Sequence, residues 1–425
     1  MNILVIGNGF DLALGWPSKY TDFLNFIKVF QMAYNNRDYQ DARVTEDCIR
    51  DLNNRIARYP MEDEKKKLED LKHFWDRFSK AFGDKKINQI FGDFYFCILE
   101  NRWIRYFQEI YDNNLIAGEN WIDLENEIKE VIKVLENDAI KIDVRNYSSM
   151  EINIIDRNII DRNIEEIIAK IQVEKNENRK IHISTKTYAE LRNKLREEFD
   201  KFVMALGIYL DFFVNQIDIG NNAQEDIRKL AKRKEDKIDH VLSFNYINNY
   251  NRKYTTIMEN ENNTCYVHGV VDYINELNEY GKKHKIDNYN QEVIKEIIEK
   301  NKMIIGFDEY RDNDTKNKQL DFIYYRKYFQ RILKGTGSQY LKWLEQNELN
   351  NIYIFGCSLD ATDKEIIKDL FLRKPVHTKI KIYYHDEEAH NRMIMNLISI
   401  LTQEKVIEMT SGINPDIEFV AQTKR

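Results

Sequence analysis

None of the four cysteines (Cys48, Cys97, Cys265, Cys357) stands in a CxxC pair. That excludes a zinc ribbon and a disulfide framework, and fits a reducing compartment. No run of about 18 apolar residues occurs, so the sequence offers no membrane-spanning helix. The apolar opening lacks a basic n-region, and Asp11 interrupts it before a signal peptide's hydrophobic region is complete. An excess of basic residues is missing too. A net charge of -7 over 425 residues gives no electrostatic case for bulk nucleic acid or an anionic membrane as partner. The expectation is a soluble, cytoplasmic protein, large enough at 51.1 kDa to bury a sizeable core.

What is present begins at the first residues. Ile3–Ile6 is a short β-branched, apolar run of the kind that forms a strand buried on both faces. Gly7, Asn8 and Gly9 follow, and Phe10 to Leu14 can start a helix. Strand, glycine turn and helix bring backbone N–H groups close to a phosphate, and glycine leaves room for the approach. Leu12 stands where a dinucleotide fingerprint has its third glycine, so a plain strand–helix turn is an equal reading.

From Ser18 to about residue 235 the sequence reads as helical almost throughout. The aromatics Phe94, Tyr95, Phe96, Trp103, Tyr106 and Phe107 are expected as core between packed helices. Residues 140–181 are low in complexity, with Ile154–Asn158 repeated directly as Ile159–Asn163, and read as a surface helix or an ill-ordered excursion. Beyond Asp239 the texture changes. Strands are expected at His240–Phe244, Thr264–Val267, Met303–Gly306, Ile352–Phe355 and Lys379–Tyr384, with helical patterns between several of them. The fold class predicted is α/β: a mostly parallel sheet with helices on both faces, built from residues 1–20 and 236–425. Residues 21–235 form a large helical insertion in this reading.

The strand ends carry the chemistry. Ser243-Phe-Asn245-Tyr246, His268-Gly269, Gly306-Phe-Asp308 and Gly356-Cys-Ser358-Leu-Asp360 each follow a predicted strand. In an open parallel sheet, ligands bind beyond the carboxyl ends of the strands. Each residue also has a structural reading. Asn245 can close a turn, His268 can be a hydrogen-bonded structural residue, Gly356–Ser358 can be a simple strand–helix turn, and Asp11, Asp360 and Asp363 suit helix starts.

Together GNGFD, SFNY, VHG, IIGFD and GCSLDATD resemble the AbiH family of bacterial abortive-infection proteins, and Trp121-Ile-Asp-Leu-Glu125 is similar to that family's tryptophan–acidic element. A role in defence against bacteriophage is what this resemblance implies. The chain also resembles the sirtuin-like NAD-binding fold: Gly7-Asn-Gly9 and Gly15-Trp-Pro17 keep that fold's spacing, and Ser243–Tyr246, His268-Gly269 and Gly356–Leu359 follow in the same order. The arginine after Gly-x-Pro is replaced by Lys19 and Tyr20, and the paired zinc cysteines are absent, so protein deacylation is not expected.

That second resemblance implies an NAD glycohydrolase, with NAD as substrate or ligand and no metal. Asn245 would bind the nicotinamide ribose or its water, His268 would be the general base, and Asp11 would orient the ribose. Gly7, Asn8, Gly9, Phe10, Ser243, Gly356, Ser358 and Asp360 would hold the nucleotide. A phage-derived trigger and further copies of the chain are the partners such a protein admits. Two alternatives stay open: a metal-dependent hydrolase of nucleotides or nucleic acid using Asp308 and Asp360, and a non-enzymatic nucleotide-binding sensor.

Overall fold

A computed structural model describes residues 1–13, 16–34, 84–116, 123–136, 140–143, 181–216, 238–248, 250, 263–285, 291–300, 302–307 and 320–422. Gly15, residues 74–82, Trp121, the repeat at 154–163, the charge run at 228–237 and Asp308 lie outside the described residues.

The strands are β1 (Asn2–Ile6), β2 (Ile140–Asp143), β3 (Ile181–Ser184), β4 (His240–Ser243), β5 (Thr264–Tyr266), β6 (Asn351–Phe355), β7 (Lys379–Tyr384) and β8 (Ile417–Ala421). The helices are α1 (Asn8–Ala13), α2 (Tyr20–Tyr34), α3 (Asp84–Ile98), α4 (Arg102–Ile116), α5 (Leu124–Glu136), α6 (Thr185–Ile208) and α7 (Tyr273–His284). They continue with α8 (Gln291–Glu299), α9 (Lys327–Lys334), α10 (Gln339–Leu344), α11 (Lys364–Leu372), α12 (Glu387–Leu401) and α13 (Gln403–Thr410). The chain divides into two compact units, one of residues 1–95, 206–304 and 331–425, the other of residues 96–205 and 305–330.

The first unit holds a six-stranded sheet in the order β5-β4-β1-β6-β7-β8, and every pairing in it is parallel. Numbered within the sheet, that order is 3-2-1-4-5-6, the doubly wound Rossmann arrangement, and the direction of winding reverses between β1 and β6. β1 lies in the interior, between β4 and β6, as its unbroken apolar run predicts. Its residues serve both faces. Ile3 and Val5 join Leu242, Ile352, Ile354, Ile380 and Ile382 in a cluster with α10, α11, α12 and α13. On the other face Phe10 packs edge-on against Phe355 at 6.4 Å and is tilted against Tyr250 at 6.1 Å. Removing each such aliphatic side chain from water stabilises the fold by about 1.5–3 kcal/mol.

Met303–Gly306 is not a strand. Residues 303–305 are fully buried, but their backbone groups are met singly: the Ile304 amide donates to the His268 carbonyl at 2.9 Å, and Lys334 reaches the Met303 carbonyl. In the second unit the Gln330 amide side chain serves both backbone groups of Ile305. The apolar pattern there records burial rather than pairing. The final strand, β8, is absent from the sequence reading: only Ile417 of its five residues is buried, so its apolar signal is weak.

Within the span read as helical, β2 and β3 pair in parallel as a separate two-stranded sheet. Ile140-Lys-Ile-Asp and Ile181-His-Ile-Ser alternate with period two, the strand pattern, although the surrounding composition hides it. In the second unit Trp103, Tyr106 and Phe107 are buried as expected, with Trp103 packed on Phe199 and Tyr325 at 5.4 and 5.6 Å. Phe96 departs from the core reading: it is 61% exposed, with the Lys201 ammonium 4.4 Å over its ring. No helix among the described residues is long and apolar enough to cross a membrane.

Candidate active site

The site lies wholly in the first unit, at the carboxyl edge of its sheet. The turn after β1 meets the turn after β6 backbone to backbone. A Cβ placed on Gly9 would lie 2.7 Å from Gly356 Cα, and one on Gly7 would lie 2.7 Å from the Gly356 carbonyl oxygen. Gly356 has φ +64°, and a Cβ there would come within 2.3 Å of the Phe10 nitrogen. The Gly9 amide donates to the Gly356 carbonyl at 2.8 Å, and the Phe10 amide to the Gly7 carbonyl at 2.8 Å. The glycines are therefore explained by mutual contact. Gly9 has a fold requirement that the phosphate reading did not include, and two amides of the turn expected to meet a phosphate are engaged within the chain. Asn8 stays exposed at the rim and accepts a hydrogen bond from the Ser18 hydroxyl at 2.6 Å.

Two side-chain pairs stand over this edge. Asp11, in the first turn of α1, is buried and accepts from Asn245 Nδ2 at 3.0 Å. Asn245 follows β4 and is 4% exposed. Its backbone N–H donates to Ser243 Oγ at 3.1 Å, so fully buried Ser243 closes the local turn. With Nδ2 committed to a carboxylate, the orientation of the Asn245 amide is fixed. Its Oδ1 is buried and has no hydrogen-bond partner among the described residues. A buried acceptor left in that condition costs about 1–3 kcal/mol.

The second pair is His268 with Asp363. His268 follows β5, is 3% exposed, and places Nε2 2.9 Å from Asp363 Oδ1. The rings of Phe244 and Tyr246, either side of Asn245, lie 5.6 and 6.2 Å from the imidazole. Tyr246 donates its phenolic hydrogen to the Ile304 carbonyl at 2.9 Å. Asp363 comes from the loop after β6, three strand positions from β5, a span of about 14 Å at normal strand spacing. Between them, the loops after β5 and β6 therefore span the carboxyl ends of β4 and β1 to bring the two side chains together. The sequence placed Asp363 only at a helix start; its partnership needed the sheet order.

The remaining expected residues of that loop divide. Ser358 is exposed, and its carbonyl accepts from Asn396 Nδ2 at 2.9 Å. Asp360 Oδ1 accepts from the Thr362 amide at 2.9 Å and caps the short turn Ala361–Asp363. Burial, with the negative charges of Asp363 and Asp360 nearby, pushes the Cys357 thiol up to about 12, which makes it a poor nucleophile. Among the described residues no group of three His, Cys, Asp or Glu side chains is arranged to hold a metal ion.

In the second unit, the acids that follow Trp121 take structural partners. Asp123 Oδ1 accepts from the Asn126 amide at 3.0 Å and caps α5. Glu125 pairs at 2.7 Å with Lys327, whose side chain is 1% exposed. Glu127 accepts from the Tyr106 hydroxyl at 2.7 Å.

A family model described as "Bacteriophage abortive infection AbiH" matches residues 3–384. No curated protein matches, and neither does any solved structure.

Proposed function

The chain belongs to the AbiH family of bacteriophage abortive-infection proteins, and we propose that it serves this role by cleaving NAD between nicotinamide and ribose. The observation that carries the proposal is the buried, oriented and unsatisfied Asn245 Oδ1. It is an acceptor aimed by Asp11, in the loop whose aromatic rings flank His268. A ribose hydroxyl is a donor suited to it.

In the reaction proposed, the C1′–N bond breaks and its electron pair leaves on neutral nicotinamide. Water then adds to the ribosyl cation, its oxygen bonding C1′ while its proton passes to His268 and on to solvent. Asn245 holds the ribose, and Asp11 holds Asn245. The general base contributes about 10²–10⁴-fold in rate. Because the Gly9 and Phe10 amides are engaged, the pyrophosphate is assigned to the rim, at exposed Asn8 and Ser358.

The test is release of nicotinamide from NAD by the purified protein, with and without phage lysate, and with a chelator present throughout. Release that survives chelation and is lost in Asn245→Ala and His268→Ala is expected. No release under any of these conditions, or release at the parent rate by both folded variants, would overturn the reading.

A further inference from the structure

We propose that Asp363 is the positioning residue of His268, holding the ring through Nε2 and stabilising its protonated form, a role that rests on His268 serving as the general base. Nε2 and the carboxylate oxygen lie 2.9 Å apart, off the line of an N–H···O hydrogen bond; the two side chains are only 4% and 17% exposed, so water screens this charge contact weakly. Local helix chemistry does not account for it. Asp363 occupies the N-cap position of α11, yet its side chain makes no capping hydrogen bond there. Asp360, three residues earlier in the same loop, does cap, through the Thr362 amide. One acid of the loop serves the backbone, and the other is turned towards the histidine.

Tyr246, from the loop after β4, is a second titratable side chain beside the ring, and its hydroxyl donates to the Ile304 carbonyl. The Cys357 thiol, influenced by the same carboxylate, is held protonated. Among the described residues, Asp363 is the charged group placed against an imidazole nitrogen. A carboxylate on one ring nitrogen fixes the tautomer and raises the basicity of the ring. In the reaction, it would stabilise the imidazolium formed when His268 takes the proton from water.

The experiment uses the full chain with isotopically labelled histidine. The His268 resonances are identified by their loss in His268→Gln, and their titration is followed by NMR. In the parent, neutral His268 should carry its proton on Nε2. Asp363→Asn should lower the titration midpoint of His268 by about 1–3 pH units, and Asp363→Glu should restore part of it. In the NAD reaction, Asp363→Asn should reduce kcat with KM little changed and move the pH profile by a similar amount.

A neutral His268 protonated on Nδ1, or an unchanged midpoint in folded Asp363→Asn, would overturn the assignment. If Asp363→Asn does not fold, the parent tautomer and the Asp363→Glu titration decide. A shifted midpoint in a protein that releases no nicotinamide would reject NAD cleavage while the His268–Asp363 partnership stands. Nicotinamide release with an unchanged midpoint would do the reverse.

Discussion

Gly356 carries more of the site's architecture than any of the polar residues around it. Its left-handed backbone and its contact with the Phe10 nitrogen leave no room for a methyl group. Gly356→Ala should destabilise the protein by about 3 kcal/mol or more, combining left-handed strain with a backbone collision. Urea unfolding would show this; parent-like stability would mean that the two turns can part cheaply. The same contact changes what Gly9→Val can reveal. A glycine kept only to admit a phosphate would give a selective loss of ligand with little loss of fold. The structure puts the branched side chain against the backbone of Gly356, so the expected outcome is an unstable protein, read by the same unfolding measurement.

At the scale of elements, the helix that follows the histidine loop is tied down by a buried acid. After α6 the chain makes a π-helical turn, Tyr209–Phe213. Within it, buried Asp211 accepts from Asn215 Nδ2 at 2.7 Å and from the Ile274 amide at 3.0 Å, at the start of α7. Burial pushes its carboxyl from 3.8 up to about 6. A carboxyl whose folded pKa is raised binds its proton more tightly when folded. Its contribution to stability is therefore fully present below pH 3.8 and is lost as pH rises through about 6. Asp211→Asn should remove that slope: the stability difference between variant and parent should move in favour of the variant as pH rises from 4 to 7. A pH-independent difference in denaturant midpoints would show that Asp211 does not titrate in this window.

At the scale of the whole molecule, the candidate site belongs to one unit, and buried ion pairs stabilise the other. Among its described residues the second unit contains two buried ion pairs, Lys327 with Glu125 and Arg102 with Glu198. Glu125→Gln should cost about 3 kcal/mol by removing the carboxylate 2.7 Å from buried Lys327, with a thermal shift as the readout and any nicotinamide release unchanged per folded molecule. Asn245→Ala, in the first unit, should weigh on function more than on stability. It deletes an unsatisfied acceptor but also the hydrogen bond to buried Asp11, so stability should fall by about 1–3 kcal/mol, while protection of bacteria against phage should fall by more than the loss of folded protein accounts for. Plating efficiency on cells expressing equal amounts of parent and variant checks this. Undiminished protection would remove Asn245 from the site.

The sequence by itself determined the parallel α/β sheet, the interior place of Ile3–Ile6, and the delivery of Asp11, Asn245 and His268 to the carboxyl edge. These follow from local pattern: an unbroken apolar run requires burial on both faces, and parallel strands end on one side. It also carried enough of the family's short motifs to indicate AbiH. The tertiary structure decided what local pattern does not encode. Met303–Gly306 and a paired strand are equally apolar, and only the partners of their backbone groups distinguish them. Gly9 and Gly356 look like a phosphate turn until their contact across the β1–β6 boundary is seen. Asp363 reads as a helix start because its partner lies about 14 Å along the sheet edge, a proximity that the strand order creates.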